Sequence, residues 1–239
     1  MTIYSHIKKS IVEGERLLAV LIDPDKTELD TIEGIVTKIN QSIATHIFVG
    51  GSEVDEGATE AVVQAIKRYT TLPVILFPGD VTQITDEADG ILFLSLISGR
   101  NPDYLIGKHV EAVSKLVKTQ LEVIPTGYIL IENGKQTAVE RVSNTKPLSR
   151  SNKQHIVDTA KAGALLGMQL IYLEAGSGAT HPIDTKMISD VKNAIQIPLI
   201  VGGGIRTKKQ LNNAYVSGAD LVVIGTAFEE DELFMNKLL

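Results

Sequence analysis

The sequence predicts a (β/α)8 barrel, and three observations carry that prediction. The chain has 239 residues, and such a barrel typically has about 250. Short apolar runs alternate with helical segments about eight times along the chain, as strands and helices alternate in α/β proteins. Three apolar runs in the last third of the chain end in glycine-rich turns, and late strands are where barrels usually bind phosphate. A doubly wound open sheet is the alternative architecture.

Each strand is predicted where an apolar run ends in glycine, proline or a polar turn residue. Thr27 is expected to cap a helix after the first strand, with Asp30 completing an approximate capping box. The predicted strands are residues 17–22, 46–49, 73–77, 91–94, 121–125, 170–174, 198–201 and 221–224. The other predicted helices are residues 6–15, 56–69, 102–118, 151–166, 183–195, 208–217 and 229–238.

Two segments depart from the regular alternation. Only residues 80–89 separate the third strand from the fourth, so a short turn or loop is expected there in place of a full helix. Residues 128–142 are predicted to form an excursion with a hairpin turn at Asn133-Gly134. Neither a linker nor a shift in composition divides the chain, which predicts a single domain over residues 1–239.

Composition excludes several classes of protein. The chain has no cysteine, so a disulfide framework, a thiolate nucleophile and a cysteine-ligated metal are excluded. The net charge of −6 argues against a broad nucleic-acid surface. No apolar run approaches the ~20 residues of a membrane span, and the first residues do not resemble a signal peptide. These features predict a cytoplasmic protein.

The strand ends are expected to form one composite phosphate site. Glycine lets backbone N–H groups approach an anion, and the start of a following helix adds favourable partial charge. Because all strands of a barrel open at one mouth, turns that are distant in sequence converge there. Ordinary βα turns without a ligand are the alternative. The three turns are residues 176–178, 202–204 and 225–226.

Acidic residues at the same mouth suggest chemistry. Asp23 and Asp25 follow the first strand, and carboxylates with a nearby hydroxyl such as Ser52 suit Mg²⁺. Alternatively, one of the two aspartates caps the next helix. Glu174 lies two residues after Tyr172, so both side chains point to one side of the sixth strand. Glu174 is a candidate base for a substrate hydroxyl, unless it pairs with a cation instead.

The basic residues near the mouth are less informative. Arg206 follows the second glycine turn and either reaches a phosphate or remains solvated at a helix start. Arg100, in a loop after the fourth strand, meets either a diphosphate or water. The histidines show no spacing typical of a metal site and are interpreted as structural or surface residues. They are His6, His46, His109, His155 and His181.

Six motifs, taken together and in order, resemble the geranylgeranylglyceryl phosphate synthase family, which includes related bacterial heptaprenylglyceryl phosphate synthases. GGGIR occurs in many phosphate-binding barrels, whereas LIDPDK, LFPGD and YLEAGSG together are specific. The intact LIDPDK motif and the long chain are similar to the archaeal-type branch that uses geranylgeranyl donors. The motifs are LIDPDK at 21–26, GGS at 50–52, LFPGD at 76–80, YLEAGSG at 172–178, GGGIR at 202–206 and GT at 225–226.

The resemblance implies a modified barrel whose third helix is replaced by a loop. It also implies a prenyltransferase that joins sn-glycerol 1-phosphate to geranylgeranyl diphosphate through an ether bond and releases diphosphate. Mg²⁺ would be held by Asp23 and Ser52, and the catalytic residues would be Glu174, as the base, and Tyr172. The residues implied to hold glycerol phosphate are Tyr172, Leu173, Glu174, Ala175, Gly176, Ser177, Gly178, Gly203, Gly204, Gly225 and Thr226.

Relatives in this family form dimers or hexamers, so a homo-oligomer is expected. The lipid-like substrate and product suggest peripheral contact with a membrane surface. Residues 94–97 and 104–106 are expected to line an apolar groove for the prenyl tail. Two other functions stay open: a sugar-phosphate isomerase, aldolase or synthase, and a non-catalytic phosphometabolite-binding barrel. The prenyl length and the participation of Asp25 in the metal site are also open.

Overall fold

The structure is a computed structural model and describes residues 2–225. Its centre is a closed barrel of eight parallel strands. Each strand pairs with the next one along the chain, and the eighth pairs back with the first. The predicted barrel is therefore confirmed against the open-sheet alternative. The strands are β1 Leu17–Ile22, β2 His46–Val49, β3 Val74–Leu76, β4 Gly90–Leu96, β5 Glu122–Leu130, β6 Leu170–Glu174, β7 Leu199–Gly202 and β8 Leu221–Ile224.

Helices surround the barrel and follow most of the strands. A π-helical turn, Asp103–Gly107, leads directly into the fourth helix. The predicted helix at 229–238 lies outside the described residues, so the single domain expected over residues 1–239 stays a prediction. The helices are α1 Ile3–Val12, α2 Ile32–Asn40, α3 Ala58–Lys67, α4 Lys108–Leu116, α5 Ala138–Ser143, α6 Lys153–Leu165, α7 Thr185–Ala194 and α8 Lys208–Val216.

Two apolar layers stabilise the barrel, because its strands are buried on both faces. In β1, Leu18 and Val20 face the helices, whereas Leu17 and Ala19 belong to the cluster inside the barrel. This explains why the strands are continuous apolar runs in the sequence. At the amino end of the barrel α1 contributes Ile7 to the inner cluster. That end is therefore closed, and the carboxyl end is left as the mouth.

The connection between β3 and β4 contains no full helix. It has one short 3₁₀ turn, Val81–Gln83, in which the Asp80 carboxylate accepts a hydrogen bond from the Thr82 N–H at 3.1 Å. The predicted loop at this position is confirmed. As a consequence, α4 lies next to this loop and the flank of the barrel is open between them.

Two local predictions are wrong. Thr27 does not cap a helix: residues 24–26 form a 3₁₀ turn capped by Asp23, and α2 begins only at Ile32. The hairpin at residues 128–142 does not form, because β5 continues in register beside β6 as far as Leu130. Residues 138–143 form α5, whose first turn is capped by the Thr137 hydroxyl.

No helix within residues 2–225 is both long enough and apolar enough to cross a bilayer.

Candidate active site

The barrel mouth holds a cavity lined by the ends of several strands. Asp23 comes from the end of β1, Ser52 from the loop after β2 and Glu174 from the end of β6. The sequence predicted that these residues would converge, and they share this cavity. The predicted site residues that line it are Asp23, Ser52, Tyr172, Glu174, Gly176, Ser177, Gly178, Gly203, Gly204 and Gly225. Leu173 and Ala175 are buried in the core beside the cavity, and Thr226 lies outside the described residues.

Glu174 and Tyr172 form the buried centre of the cavity. The Glu174 side chain is only 6% exposed, and its Oε1 accepts a hydrogen bond from the Gly176 N–H at 2.6 Å. Burial raises the pKa of this carboxyl, while the Tyr172 hydroxyl and the N–H groups of Gly176 and Ala175 oppose that rise. A carboxylate whose pKa is raised in this way is a stronger base.

The Tyr172 hydroxyl has no hydrogen bond of good geometry to any residue in the described part of the chain, although it is fully buried. Burial, followed by the negative charge of Glu174, raises its pKa well above the usual value. Tyr172 therefore remains a neutral donor at ordinary pH. The hydroxyl lies beside the Glu174 carboxylate without a well-aligned hydrogen bond to it, so it can turn and donate to a ligand in the cavity.

The glycines of β7 leave the space that Glu174 and Tyr172 occupy. A Cβ at Gly202 would lie 2.7 Å from Glu174 Oε2 and would also collide with the Tyr172 hydroxyl. A Cβ at Gly203 would lie 2.8 Å from the Gly176 nitrogen and would collide with Glu174 Oε1. Gly203 also has a φ of +84°, which disfavours other residues. The first and second glycine turns therefore contact each other around one carboxylate.

Asp23 and Ser52 lie on neighbouring loops at the other side of the cavity. A Cβ at Gly51 would lie 2.7 Å from Asp23 Oδ1, so the Asp23 carboxylate packs against the backbone beside Ser52. The second carboxylate oxygen, Oδ2, pairs with Lys26 Nζ at 3.0 Å. A carboxylate and a hydroxyl are hard oxygen donors that fit Mg²⁺, whose remaining ligands are usually waters and substrate phosphates.

Asp25 is placed differently from Asp23. It is exposed, and its Oδ1 accepts a hydrogen bond from the Asp55 N–H at 3.1 Å. Asp25 therefore ties the loop after β1 to the loop after β2. Asp23, meanwhile, caps the turn that follows it through a 3.3 Å bond from the Asp25 N–H. The alternative that one of the two aspartates caps the next helix is thus correct for Asp23, although the capped element is a 3₁₀ turn. Asp23 Oδ2 remains directed toward Lys26.

An apolar groove adjoins the polar cavity. It runs between the β3–β4 connection and α4, on the flank that the short connection leaves open. The two spaces share the wall residues Gly51, Ser52, Phe77, Tyr128 and Val139. The other groove residues are Pro78, Gly79, Asp80, Val81, Ile84, Ile91, Leu92, Phe93, Leu94, Leu96, Tyr104, Lys108, His109, Ala112 and Val142.

The predicted groove segments were partly correct. Of the predicted residues 94–97 and 104–106, Leu94, Leu96 and Tyr104 line the groove, whereas Ser95, Ile97, Leu105 and Ile106 do not. An ion pair between Asp80 and Lys108 lies at its edge. Three aromatic rings form the floor where the groove meets the polar cavity. The Tyr172 ring centroid is 5.2 Å from that of Tyr128 and 5.5 Å from that of Phe77.

The two arginines considered from the sequence bind backbone carbonyls. Arg100 donates to the carbonyl oxygens of Ile97 and Gly99, so it holds its own loop and does not line either space. Arg206 lines the polar cavity and donates to the Ala179 carbonyl at 2.7 Å. Arg206 is therefore near the glycine turns, with part of its guanidinium engaged in holding the loop after β6.

The histidines fit the structural or surface interpretation except at one position. His6, His155 and His181 are exposed, and His46 is fully buried at the start of β2. Burial, followed by the charge of His6, lowers the pKa of His46 to about 4. His109 instead lines the apolar groove. Among residues 2–225, no three acidic, histidine or cysteine side chains form a metal cluster.

Sequence reasoning missed the residues that hold the loop after β6 from outside. Asn133 donates to the Ala175 carbonyl, and Arg150 donates to the carbonyls of His181 and Pro182 at 2.8 and 3.0 Å. No local pattern identifies Arg150, because its partners lie about 30 positions further along the chain. Asn133 was interpreted as a hairpin residue, and that interpretation concealed its role.

The sequence is similar to one protein family over nearly its whole length. A model of the PcrB family matches residues 10–238. The geranylgeranylglyceryl phosphate synthase of Flavobacterium johnsoniae is 54% identical over 98% of this chain and 97% of its own length. That of Pyrococcus furiosus is 43% identical over 95% of this chain and 88% of its own length.

Solved structures extend the comparison to the fold. (S)-3-O-geranylgeranylglyceryl phosphate synthase from Thermoplasma acidophilum, in complex with its substrate sn-glycerol-1-phosphate, superposes with a TM-score of 0.93 and 31% identity. The match covers 100% of this chain and 96% of that one. The tryptophan synthase α-subunit of Pyrococcus furiosus has a TM-score of 0.59 and 14% identity, with 93% of this chain and 97% of that chain covered. It shares the fold alone.

Proposed function

The chain belongs to the PcrB family, and from that premise we propose that it is a geranylgeranylglyceryl phosphate synthase. It transfers the geranylgeranyl group from its diphosphate to a hydroxyl of sn-glycerol 1-phosphate. The observation that carries the proposal is the shared wall between the polar cavity and the apolar groove. A small phosphorylated alcohol and a long hydrocarbon tail can thereby meet at one point.

The glycine turns suit the phosphate of the glycerol substrate. Gly176, Gly178, Gly203 and Gly204 all have positive φ values, a conformation in which backbone N–H groups can surround an anion. Gly225 lines the same cavity from the end of β8, and Thr226 is proposed to act beside it. Binding the phosphate at these turns holds the glycerol hydroxyls over the centre of the mouth, which lowers the entropic part of the barrier.

Glu174 is proposed as the catalytic base and Tyr172 as a hydrogen-bond donor to the glycerol substrate. The glycerol hydroxyl oxygen attacks the allylic carbon and the bond from that carbon to the diphosphate oxygen breaks. The electron pair of the broken bond leaves with diphosphate, and the hydroxyl proton passes to Glu174. The Tyr172 hydroxyl, buried and lacking a well-aligned partner, can donate to an oxygen of the glycerol substrate.

The aromatic floor suits the developing charge on the prenyl group. The allylic carbon gains positive character as its bond to diphosphate lengthens, and aromatic faces attract a nearby cation. Phe77 and Tyr128 lie in the wall common to both spaces. The groove beyond them, with its leucine and isoleucine side chains, excludes water from the tail.

Mg²⁺ is proposed as the cofactor, held by Asp23 and Ser52 together with the substrate diphosphate. When bound, the ion neutralises the diphosphate and makes it a better leaving group. An Asp23→Asn variant should then need more Mg²⁺ for half-maximal activity, by about tenfold or more. Diphosphate release measured across a Mg²⁺ titration checks this, and an unchanged requirement would remove Asp23 from the metal site.

Three further proposals concern oligomeric state, membrane contact and location. A homo-oligomer, either a dimer or a hexamer, is proposed and can be measured by light scattering of the purified protein. Peripheral contact with a membrane surface is proposed because the prenyl donor and product are lipid-like, and vesicle co-sedimentation measures it. A cytoplasmic location likewise stays a proposal.

Activity with matched substrates separates this function from its alternatives. Diphosphate release is measured with geranylgeranyl diphosphate and Mg²⁺, with sn-glycerol 1-phosphate or its 3-phosphate enantiomer as acceptor. Release that depends on the 1-phosphate, with a prenyl ether detected by mass, is the expected result. Binding of glycerol phosphate without consumption of any prenyl donor would instead favour the sugar-phosphate enzyme or the non-catalytic binding barrel.

A further inference from the structure

The loop that connects β6 to α7 carries the first glycine turn and is held by side chains from other segments of the chain. Residues 175–184 leave the end of β6, pass the cavity at Gly176 and Gly178, and return to the start of α7. Side chains from three other segments donate to carbonyl oxygens of this loop. They are Asn133 to Ala175, Arg206 to Ala179, and Arg150 to His181 and Pro182.

Arg150 makes the most extensive of these contacts. Its Nη2 donates to the His181 carbonyl at 2.8 Å and its Nη1 to the Pro182 carbonyl at 3.0 Å. Its Nε donates to the carbonyl of Glu132, just beyond the end of β5. One rigid, planar guanidinium therefore joins the segment after β5 to two successive peptide groups of the loop. A lysine, which offers a single flexible ammonium, cannot reproduce that geometry.

The segment held by Arg150 packs directly against the second glycine turn. A Cβ placed on Gly204 would lie 2.9 Å from the Pro182 nitrogen and 3.1 Å from the His181 carbonyl carbon. Gly204 lines the cavity with a φ of +72°. The peptides that Arg150 binds therefore form the wall behind Gly204. Displacing them would change the distance between the turns after β6 and β7.

We propose that Arg150 is a positioning residue for glycerol phosphate, acting through the loop after β6 without touching the substrate. It fixes residues 181–182 against Gly204, so that the two glycine turns keep the separation that one phosphate group requires. This inference rests on the proposed function for the identity of the phosphate ligand. Preorganised backbone donors lose much of their value when displaced by about 1 Å.

The test compares Arg150→Gln and Arg150→Lys with the unsubstituted enzyme. The KM for sn-glycerol 1-phosphate should rise about tenfold or more in Arg150→Gln, and by a smaller factor in Arg150→Lys. The KM for geranylgeranyl diphosphate and the kcat at saturation should stay within about twofold, because the bound complex reacts as before. Calorimetric titration with sn-glycerol 1-phosphate alone should show the same loss of affinity.

Arg100→Gln is the matched control. The guanidinium of Arg100 also donates hydrogen bonds to two backbone carbonyls, but these lie on the loop after β4. This variant should leave the affinity for sn-glycerol 1-phosphate unchanged, and thermal unfolding of all three variants separates a loss of stability from a loss of binding. If Arg150→Gln does not fold, the graded effect in Arg150→Lys still decides the question.

Two results would overturn the inference. One is an unchanged calorimetric affinity for sn-glycerol 1-phosphate in Arg150→Gln, and the other is an equal rise in the KM for both substrates. Failure of the proposed function has a different signature, because the unsubstituted protein would then bind sn-glycerol 1-phosphate without forming a prenyl ether. The calorimetric comparison tests Arg150 in either case.

Discussion

Replacing Glu174 by glutamine should separate catalysis from binding at the barrel mouth. Glutamine has nearly the same size as glutamate, and its carbonyl oxygen can still accept the 2.6 Å hydrogen bond from the Gly176 N–H. The turn around the phosphate is thereby preserved, so the KM for sn-glycerol 1-phosphate should change by no more than about threefold. The substitution removes the negative charge and, with it, the ability to take a proton.

The loss of turnover should be large because glutamine cannot accept the hydroxyl proton. General base catalysis typically contributes about 10²–10⁴-fold, which corresponds to about 3–5 kcal/mol of the activation barrier. The rate of diphosphate release at saturating substrates measures this loss. Glu60→Gln, an exposed glutamate on α3, is the matched control and should retain full turnover. Turnover of Glu174→Gln within about tenfold of the unsubstituted enzyme would refute the role of base.

The pH dependence adds a second, independent measurement. Because burial raises the pKa of folded Glu174, kcat/KM should fall as the pH drops through that raised value, and Glu174→Gln should lack this dependence. The same shift makes ionised Glu174 destabilising: the cost is absent below the pKa of the unfolded carboxyl and complete above the folded pKa. Glu174→Gln should therefore have a larger free energy of unfolding than the unsubstituted protein, and the difference should grow as the pH rises through this interval. An advantage that is the same at every pH would contradict the assignment of the shift to burial.

Three further perturbations test other parts of the structure. Gly203→Ala places a Cβ against Glu174 Oε1 at a φ of +84°. It should lower the free energy of unfolding by about 1–3 kcal/mol through backbone strain, and it should also lower the rate of diphosphate release. Gly167→Ala, with a φ of +92° and open space around it, should show in thermal unfolding only the strain and no loss of activity. Ala112→Phe, on the groove wall, should shift the donor preference toward shorter prenyl diphosphates, as judged by product masses in mixed-donor assays. Val110→Phe, at an exposed position, is its control. An unchanged product distribution would exclude Ala112 from the tail site. Because burial lowers the pKa of His46 from 6.5 to about 4, the free energy of unfolding should fall by about 3 kcal/mol as the pH drops across that interval. Chemical denaturation at both ends of the interval measures this loss, which His46→Gln should largely abolish.

The strands could be predicted from sequence because a strand buried on both faces is a continuous apolar run. The bounds of β1 and β2 agree with the prediction residue for residue. β5 extends five residues beyond its predicted end at Pro125, because pairing with β4 and β6 continues through Thr126 and Gly127. That pairing depends on partners far away in the chain, which no local pattern reveals.

The candidate site shows the same division between local and distant signals. Glycine turns and acidic residues at strand ends could be located because the barrel fixes where strand ends meet. The α5 helix could also have been found, since Thr137 and Glu140 have the spacing of a capping box, but Asn133-Gly134 favoured a hairpin instead. In contrast, the Arg150 contacts and the burial that raises the pKa of Glu174 exist only after the chain has folded.

The short connection between β3 and β4 has a consequence for the order in which substrates arrive. The glycine turns line the polar cavity at the mouth, whereas the groove is lined by that connection and by α4. In the proposed reaction the acceptor and the prenyl tail therefore occupy two adjoining spaces with largely different walls, and neither needs to be bound before the other. Such an arrangement favours a random-order kinetic mechanism. Because the product keeps the glycerol phosphate group, it must leave the polar cavity before the next acceptor can bind.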